Sequence, residues 1–424
     1  MKKADTMILG KDMTYSTDSS KTGVNNNVLV VASSGAGKTM SIIEPRLLHT
    51  FNSSVICTMT KQRLVGKYRE LYRSRGYNVM ELNFVDPLKS NVAYDPLQYI
   101  CDFPDITFLA ESILMSNPRK ERSNGDPYWD DMGVSLLSSL IALVLYNKGV
   151  NATFTDVLYK VDELKMDADG TLISTSLDDE FKKLGTSRGS RFATTCWNSF
   201  RCLPPRTAGC VYSTMNTAID TLFTPKIRET ISYQKKIDFE DVATQKTILF
   251  IVSSPVNPAL NRYINMFYSQ MFKQLFEFAE ELPDGRLPIP VTVLCDDFAT
   301  GSRIQNFPEY ISIFREKGIS VTLLIQSESQ LASMYGSNDC TTIINNCDTY
   351  VFMGGMDLDT GRNISSRLDI PLQDVLYMPI GKEIIFRRGQ YPVFSERYDI
   401  EHDNLNIKAT KMGKRVIKTK QEDK

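Results

Sequence analysis

The residues with the clearest chemical capacity are Ala32-Ser33-Ser34-Gly35-Ala36-Gly37-Lys38-Thr39, which follow the apolar run Asn27-Val28-Leu29-Val30-Val31. A strand, a glycine-rich turn and a helix opening at Gly37-Lys38-Thr39 make a cradle for phosphate, close to the pattern G-x4-G-K-[ST]. Gly35 and Gly37 let backbone N–H groups turn toward an anion, and the helix N-terminus adds partial positive charge. Ser34, Gly35, Ala36, Gly37, Lys38 and Thr39 are therefore the expected nucleotide-binding residues. Lys38 would reach the β- and γ-phosphates and the Thr39 hydroxyl would serve Mg²⁺. The first glycine of the pattern is Ala32 here. That position closes the strand, and the later residues build the phosphate nest.

A second constellation ends another apolar run, Val291-Thr292-Val293-Leu294-Cys295-Asp296-Asp297. Carboxylates at the end of a strand suit a Walker B site, with Asp296 holding Mg²⁺ and Asp297 activating water. Most ATPases of this type carry Glu second, and Asp297 is one methylene shorter, so slow hydrolysis is expected if the base falls short of its proton. Gln326, after the run Ser320 to Ile325, is the candidate γ-phosphate sensor on a strand added between the two Walker strands. Arg315, in Phe314-Arg315-Glu316-Lys317-Gly318, is either an arginine aimed at a neighbouring subunit's phosphate or a surface residue in a charged turn. Asp126, Asp130 and Asp131 around Trp129 read best as a helix N-terminus favoured by its dipole, and less well as a metal or acid–base pair.

Other chemistries are closed off. The chain has two histidines, His49 and His402, without a zinc-hydrolase or triad motif, and both are expected at the surface. Eight cysteines lack CxxC spacing and several lie in apolar runs, the usage of a reduced, intracellular protein. With 49 Lys+Arg against 50 Asp+Glu, the chain is not a globally basic nucleic-acid binder, so any basic surface must be local. The start has no signal-peptide pattern, and the apolar stretch Leu136 to Tyr146, interrupted by Ser138-Ser139, is short of the ~20 residues of a membrane span.

The elements that must position these residues follow from periodicity. Continuous apolar runs at 27–31, 54–57, 247–252, 291–295, 320–325, 348–353 and 383–386 read as strands buried on both faces, as in a parallel sheet. Helical patterns separate several of them, which gives an α/β fold with a mainly parallel central sheet. Between about 100 and 240 the strong segments are helical, from Asp105, Tyr128, Phe154, Ser176 and Ala208 onward. The expected organisation is a discontinuous nucleotide-binding domain, 1–100 and 240–403, an inserted all-α domain, 101–239, and a basic, disordered tail, 404–424.

The order of these parts resembles the coupling ATPases of type IV secretion and conjugation, the TraG/TraD group, in particular a Gram-positive mobile-element branch. The similarity rests on Val30 to Leu48 with Ile43-Glu44-Pro45-Arg46-Leu47-Leu48, on Tyr94-Asp95-Pro96-Leu97 and on Asp126-Pro127-Tyr128-Trp129. It continues through Asp296-Asp297-Phe298-Ala299, Phe314-Arg315, Ile325-Gln326-Ser327-Glu328-Ser329-Gln330-Leu331, Tyr335-Gly336 and Asn345-Asn346-Cys347-Asp348. The resemblance implies a RecA-like P-loop NTPase with ATP and Mg²⁺ as cofactors. It further implies a hexameric ring around DNA that delivers a relaxase-bound single strand to a transfer channel. By residue match Lys38 and Thr39 bind nucleotide, Asp296 and Asp297 serve Mg²⁺ and water, Gln326 is the sensor and Arg315 acts in trans.

Three departures qualify what the resemblance implies. Family members usually begin with membrane-spanning helices, and none is seen here, so either a soluble variant recruited to the inner face of the cell membrane by a membrane-embedded partner or the loss of a membrane segment is expected. Thr58-Met59-Thr60-Lys61-Gln62 lacks the acid of the family's Asp-x-Lys-Gly element, and Asp297 replaces Glu. An FtsK- or HerA-like DNA translocase and a nucleotide-binding adaptor with little hydrolysis are the alternatives.

Overall fold

The computed structural model describes residues 3–422 apart from 116–126, 168–170, 172, 174–175, 186, 232–234 and 255–256. The strands are β1 (Thr6–Gly10), β2 (Met13–Ser16), β3 (Val28–Val31), β4 (Ser54–Met59), β5 (Asn78–Asn83) and β6 (Thr247–Val252). They continue as β7 (Val291–Cys295), β8 (Ile319–Ile325), β9 (Thr349–Phe352), β10 (Lys382–Arg387) and β11 (Val393–Glu396). β1 and β2 form a separate hairpin, and the other nine make one sheet in the order β11-β10-β9-β3-β8-β7-β4-β6-β5. From β9 to β5 every pairing is parallel, and β10 and β11 add an antiparallel edge.

The apolar runs behave as their pattern requires. Leu29, Val31, Ile56 and Leu249 belong to the core on one face, while Val28, Val30, Val55 and Cys57 belong to the core on the other. Alternate side chains of a strand point to opposite faces, so a sheet covered on both sides needs an apolar residue at nearly every position. β5 escaped that pattern because it carries Asn78, Glu81 and Asn83. The structure accommodates the buried Glu81 with an ion pair to Arg69 and a 3.0 Å hydrogen bond from Asn83.

Helices fill the chain between β5 and β6. Helix Tyr128–Lys148 packs against Phe103–Met115, Arg188–Arg201 and Pro205–Leu222. The second of these partners was not apparent from the sequence, where its apolar residues are sparse. Ala193, Trp197 and Phe200 share one helix face, and Trp197 stacks on Phe181 with ring centroids 4.5 Å apart. The apolar stretch read at 136–146 is part of a longer one. By length and composition Tyr128–Asn151 is long and apolar enough to cross a membrane, with 56% of its apolar window buried inside the protein. Ser139 does not interrupt it, because its hydroxyl donates to the Leu136 carbonyl at 2.7 Å. Asp130 and Asp131 lie in the helix's first turn, and Asp126 lies outside the described residues.

The expected solvated tail is corrected. Residues Asn404–Glu422 form a helix that packs on helix Gln62–Ser74, with Ala409 fully buried and Gly413 close to the Lys67 backbone. Small residues four apart let two helix backbones approach, a signal that the Lys-rich composition hides. The helix start is pinned by Asp403. Burial pushes that carboxyl up, but the His49 ring at 2.8 Å, the Tyr398 hydroxyl at 2.8 Å and the Leu405 N–H at 2.6 Å hold it below its ordinary value. His49, expected at the surface, is therefore only 18% exposed in its side chain, whereas His402 is 85% exposed.

Candidate functional site

β3 delivers the chain to the loop at 32–38. Gly35 and Gly37 both have positive φ, +75° and +84°, which is why glycine stands at these two positions. Beyond them Thr39–Ile43 forms a wide, π-type turn that runs into helix Glu44–Leu48, with the Ser41 N–H on the Gly37 carbonyl at 2.9 Å. Ser34 and Gly35 are exposed, Ala36 and Gly37 half-buried, and Lys38 is buried at 8% exposure. The Lys38 ammonium folds back onto the Ala32 carbonyl. Burial pulls its pKa down, and the charges of Asp297 and Asp296 oppose that shift.

The Thr39 hydroxyl donates to Asp296 Oδ2 at 3.0 Å, joining residues 257 positions apart. The two Walker strands are not neighbours. β8 lies between β3 and β7, so the loop and the carboxylates meet across an intervening strand. Burial and the adjacent Asp297 push the Asp296 carboxyl above its ordinary value, against the pull of Thr39, Lys38 and Lys61. A desolvated carboxylate beside a hydroxyl is a hard-oxygen donor set that fits Mg²⁺. Asp297 adopts the left-handed conformation, φ +56°, and its carbonyl accepts from the Thr300 hydroxyl at 2.8 Å. Asp and Asn tolerate that region better than Glu, which gives the shorter acid a backbone reason.

Gln326 stands at the end of β8, one residue past the register pair Val31 and Ile325, and is exposed. The residues after it brace the site: Ser327 caps helix Glu328–Tyr335 through the Gln330 N–H at 3.1 Å, and Gln330 Nε2 donates to the Ala299 carbonyl at 3.2 Å. Arg315 is not brought to this cluster within the chain. It lies exposed near the start of β8, a seven-residue strand away, or about 20 Å at ordinary strand rise.

Two further side chains reach the site, one from the 58–62 segment noted in the sequence and one from beyond β11. Lys61, at the end of β4, contributes positive charge to Asp296. Arg397, after β11, bonds the Ala36 carbonyl and, at 2.7 Å, the Met353 carbonyl, clamping the loop from the antiparallel edge. Only the pairing of β9, β10 and β11 puts it there.

Behind Arg397, Glu383 is fully buried and neither carboxylate oxygen has a hydrogen-bond partner. Burial pushes it up to about 8, which the Arg397 charge only partly offsets. A carboxyl raised above its unfolded value keeps its proton longer when folded, so stability falls as pH rises from about 4.5 to about 8. Glu383→Gln is expected to flatten that decline, gaining on the order of 3 kcal/mol at pH 7 relative to wild type when both are referenced to pH 4. Chemical unfolding across that range checks it, and parallel pH profiles for the two proteins would refute it.

A family model described as type IV secretory system conjugative DNA transfer matches residues 1–369. The chain belongs to that family. Among curated proteins this member is similar to the conjugal transfer protein TraG of Rhizobium radiobacter, 23% identical over 359 residues. That match covers 80% of this chain and 51% of TraG, so the chain spans about half the length of the curated relative. Among solved structures the family member is similar to the plasmid coupling protein TrwB in complex with a GTP analogue (TM-score 0.66, 15% identity, 88% of this chain and 85% of that one). TrwB with ADP and Mg²⁺ matches at TM-score 0.65 and 16% identity over the same shares. VirB4 of Thermoanaerobacter pseudethanolicus follows at TM-score 0.57 and 13% identity, covering 93% and 96%. At these identities the structural likeness establishes the fold, a RecA-like α/β domain with a mainly parallel sheet.

Proposed function

We propose that the protein is an Mg²⁺-dependent ATPase that drives conjugative DNA transfer, coupling ATP turnover to delivery of a relaxase-bound single strand to a type IV secretion channel. The observation that carries this reading is the meeting of Thr39 and Asp296 at 3.0 Å beside the buried Lys38. Family membership and the nucleotide complexes of TrwB support it.

In this reading the N–H groups of Ser34 to Lys38 hold the phosphate chain and Lys38 neutralises its terminal charge. Thr39 and Asp296 would hold Mg²⁺, which would supply charge neutralisation for the phosphates. Asp297 takes the proton of the attacking water, and Gln326, on the strand between, reads the γ-phosphate. Arg315 acts on the phosphate of the next subunit in a hexameric ring, consistent with its distance from Lys38 of its own chain. Segments 1–100 and 240–403 form the motor domain and 101–239 the inserted helical domain. A membrane-embedded partner of the channel holds the protein at the inner face of the cell membrane.

ATP turnover with and without single-stranded DNA tests the proposal. DNA is expected to stimulate turnover severalfold, with affinity falling steeply as salt rises because phosphate contacts release counterions. Turnover indifferent to DNA, with nucleotide still bound, would favour the adaptor reading.

A further inference from the structure

At the pole of the sheet opposite the phosphate loop, a cavity of about 830 Å³ opens beside the first residues of β7 and β8. Its wall includes Arg46, which is only 4% exposed. This guanidinium is poorly served. Nη1 donates to the Thr6 carbonyl at 3.3 Å and Nη2 to the Thr292 hydroxyl at 3.4 Å, both long for N–H···O bonds, and Nε has no partner. No ion pair within 4 Å involves it among the described residues. Five donors in a planar fork suit an oxyanion, and a buried donor left without a partner is destabilising.

The carboxylates that share the cavity are already engaged. Asp5 accepts the N–H groups of Phe51, Asn52 and Ser53 at 2.6, 2.8 and 3.0 Å and the Ser53 hydroxyl at 2.6 Å. Asp18 is paired with Lys21 at 2.8 Å, and Glu316 with Lys317 at 3.4 Å. Arg286, on the exposed rim, makes one 3.4 Å bond to the Arg315 carbonyl. The Ser320 hydroxyl lies 3.1 Å from that of Thr292, a further polar group on the same wall.

We propose that this cavity is a second anion site, separate from the nucleotide loop, that takes a phosphoryl group carried by a small molecule. The volume is in the ordinary range for small ligands, ~300–1,000 Å³. Arg46 lies too deep for a polymer backbone to reach, and Asp18 and Glu316 in the same wall oppose the extended charge of a nucleic-acid strand. None of the residues assigned to the nucleotide of the same chain lines the cavity, while Arg315, assigned to the next subunit's phosphate, does.

The test is calorimetric titration of inorganic pyrophosphate into full-length Lys38→Ala protein, in which the nucleotide loop is disabled. One site is expected to remain, weakened at least about tenfold by Arg46→Met and about threefold by Arg286→Ala. Arg286 is exposed, so its variant decides the matter should Arg46→Met fail to fold. Pyrophosphate binding that vanishes in Lys38→Ala alone, or that survives both added substitutions unchanged, overturns the proposal. So does displacement of pyrophosphate by a single-stranded oligonucleotide, which would show a polymer site instead.

Discussion

Lys38→Ala is expected to reduce ATP turnover by about 10²–10³-fold, equivalent to ~3–4 kcal/mol of lost transition-state stabilisation. The side chain lies where the loop from β3 faces Asp296 and Asp297, and its charge is the one that both carboxylates act on. Without it the phosphate chain meets those carboxylates unshielded, so nucleotide affinity should fall as well. The fold does not depend on the ammonium, whose burial is electrostatically unfavourable. Thermal unfolding of the empty variant should therefore stay near wild type while ATP turnover and nucleotide titration both drop. Turnover within about twofold of wild type would remove Lys38 from the reaction and with it the case for a phosphate loop.

Asp297→Asn should separate binding from chemistry. Asn tolerates the left-handed backbone as Asp does, so the turn at φ +56° and its bond from Thr300 persist. What disappears is the proposed base. A positioned base contributes about 10²–10⁴-fold, so kcat should fall by at least about a hundredfold while nucleotide affinity stays within about threefold. Asp297→Glu asks the opposite question. Lengthening the acid returns the usual residue but places a longer side chain in the left-handed region, at a cost of about 1 kcal/mol. We expect Asp297→Glu to be less stable and no faster than wild type, because the backbone sets the direction of the carboxylate. An Asp297→Asn protein that hydrolyses ATP normally would assign the base to another group.

The phosphate loop was legible because each part of it is local: an apolar strand, two glycines at positive φ and a helix start lie within one short segment. The carboxylate pair was legible because a strand run announces its own end at Cys295. Arg397 was not, since its place beside Ala36 depends on the hairpin of β10 and β11 returning across the sheet edge. Arg46 looked like one more residue of a helix after the loop, and nothing local says that its guanidinium ends buried with two long hydrogen bonds and an unpartnered Nε.

Composition misled where packing outweighed it. The Lys-rich stretch after 403 reads as solvated, yet Ala409 and Gly413 give it a narrow face that fits the helix at 62–74. β5 reads as polar, yet Arg69 and Asn83 satisfy its buried acid. By itself the sequence determined the strands with uninterrupted apolar runs, the helical character of the segment between them and the candidate site at residues 32–39 and 296–297. These follow from nearest-neighbour geometry and side-chain period. The tertiary structure alone decided the order of the nine strands, and that Arg315 lies at the opposite end of β8 from Gln326. Those outcomes depend on contacts between residues hundreds of positions apart, which leave no periodic trace along the chain.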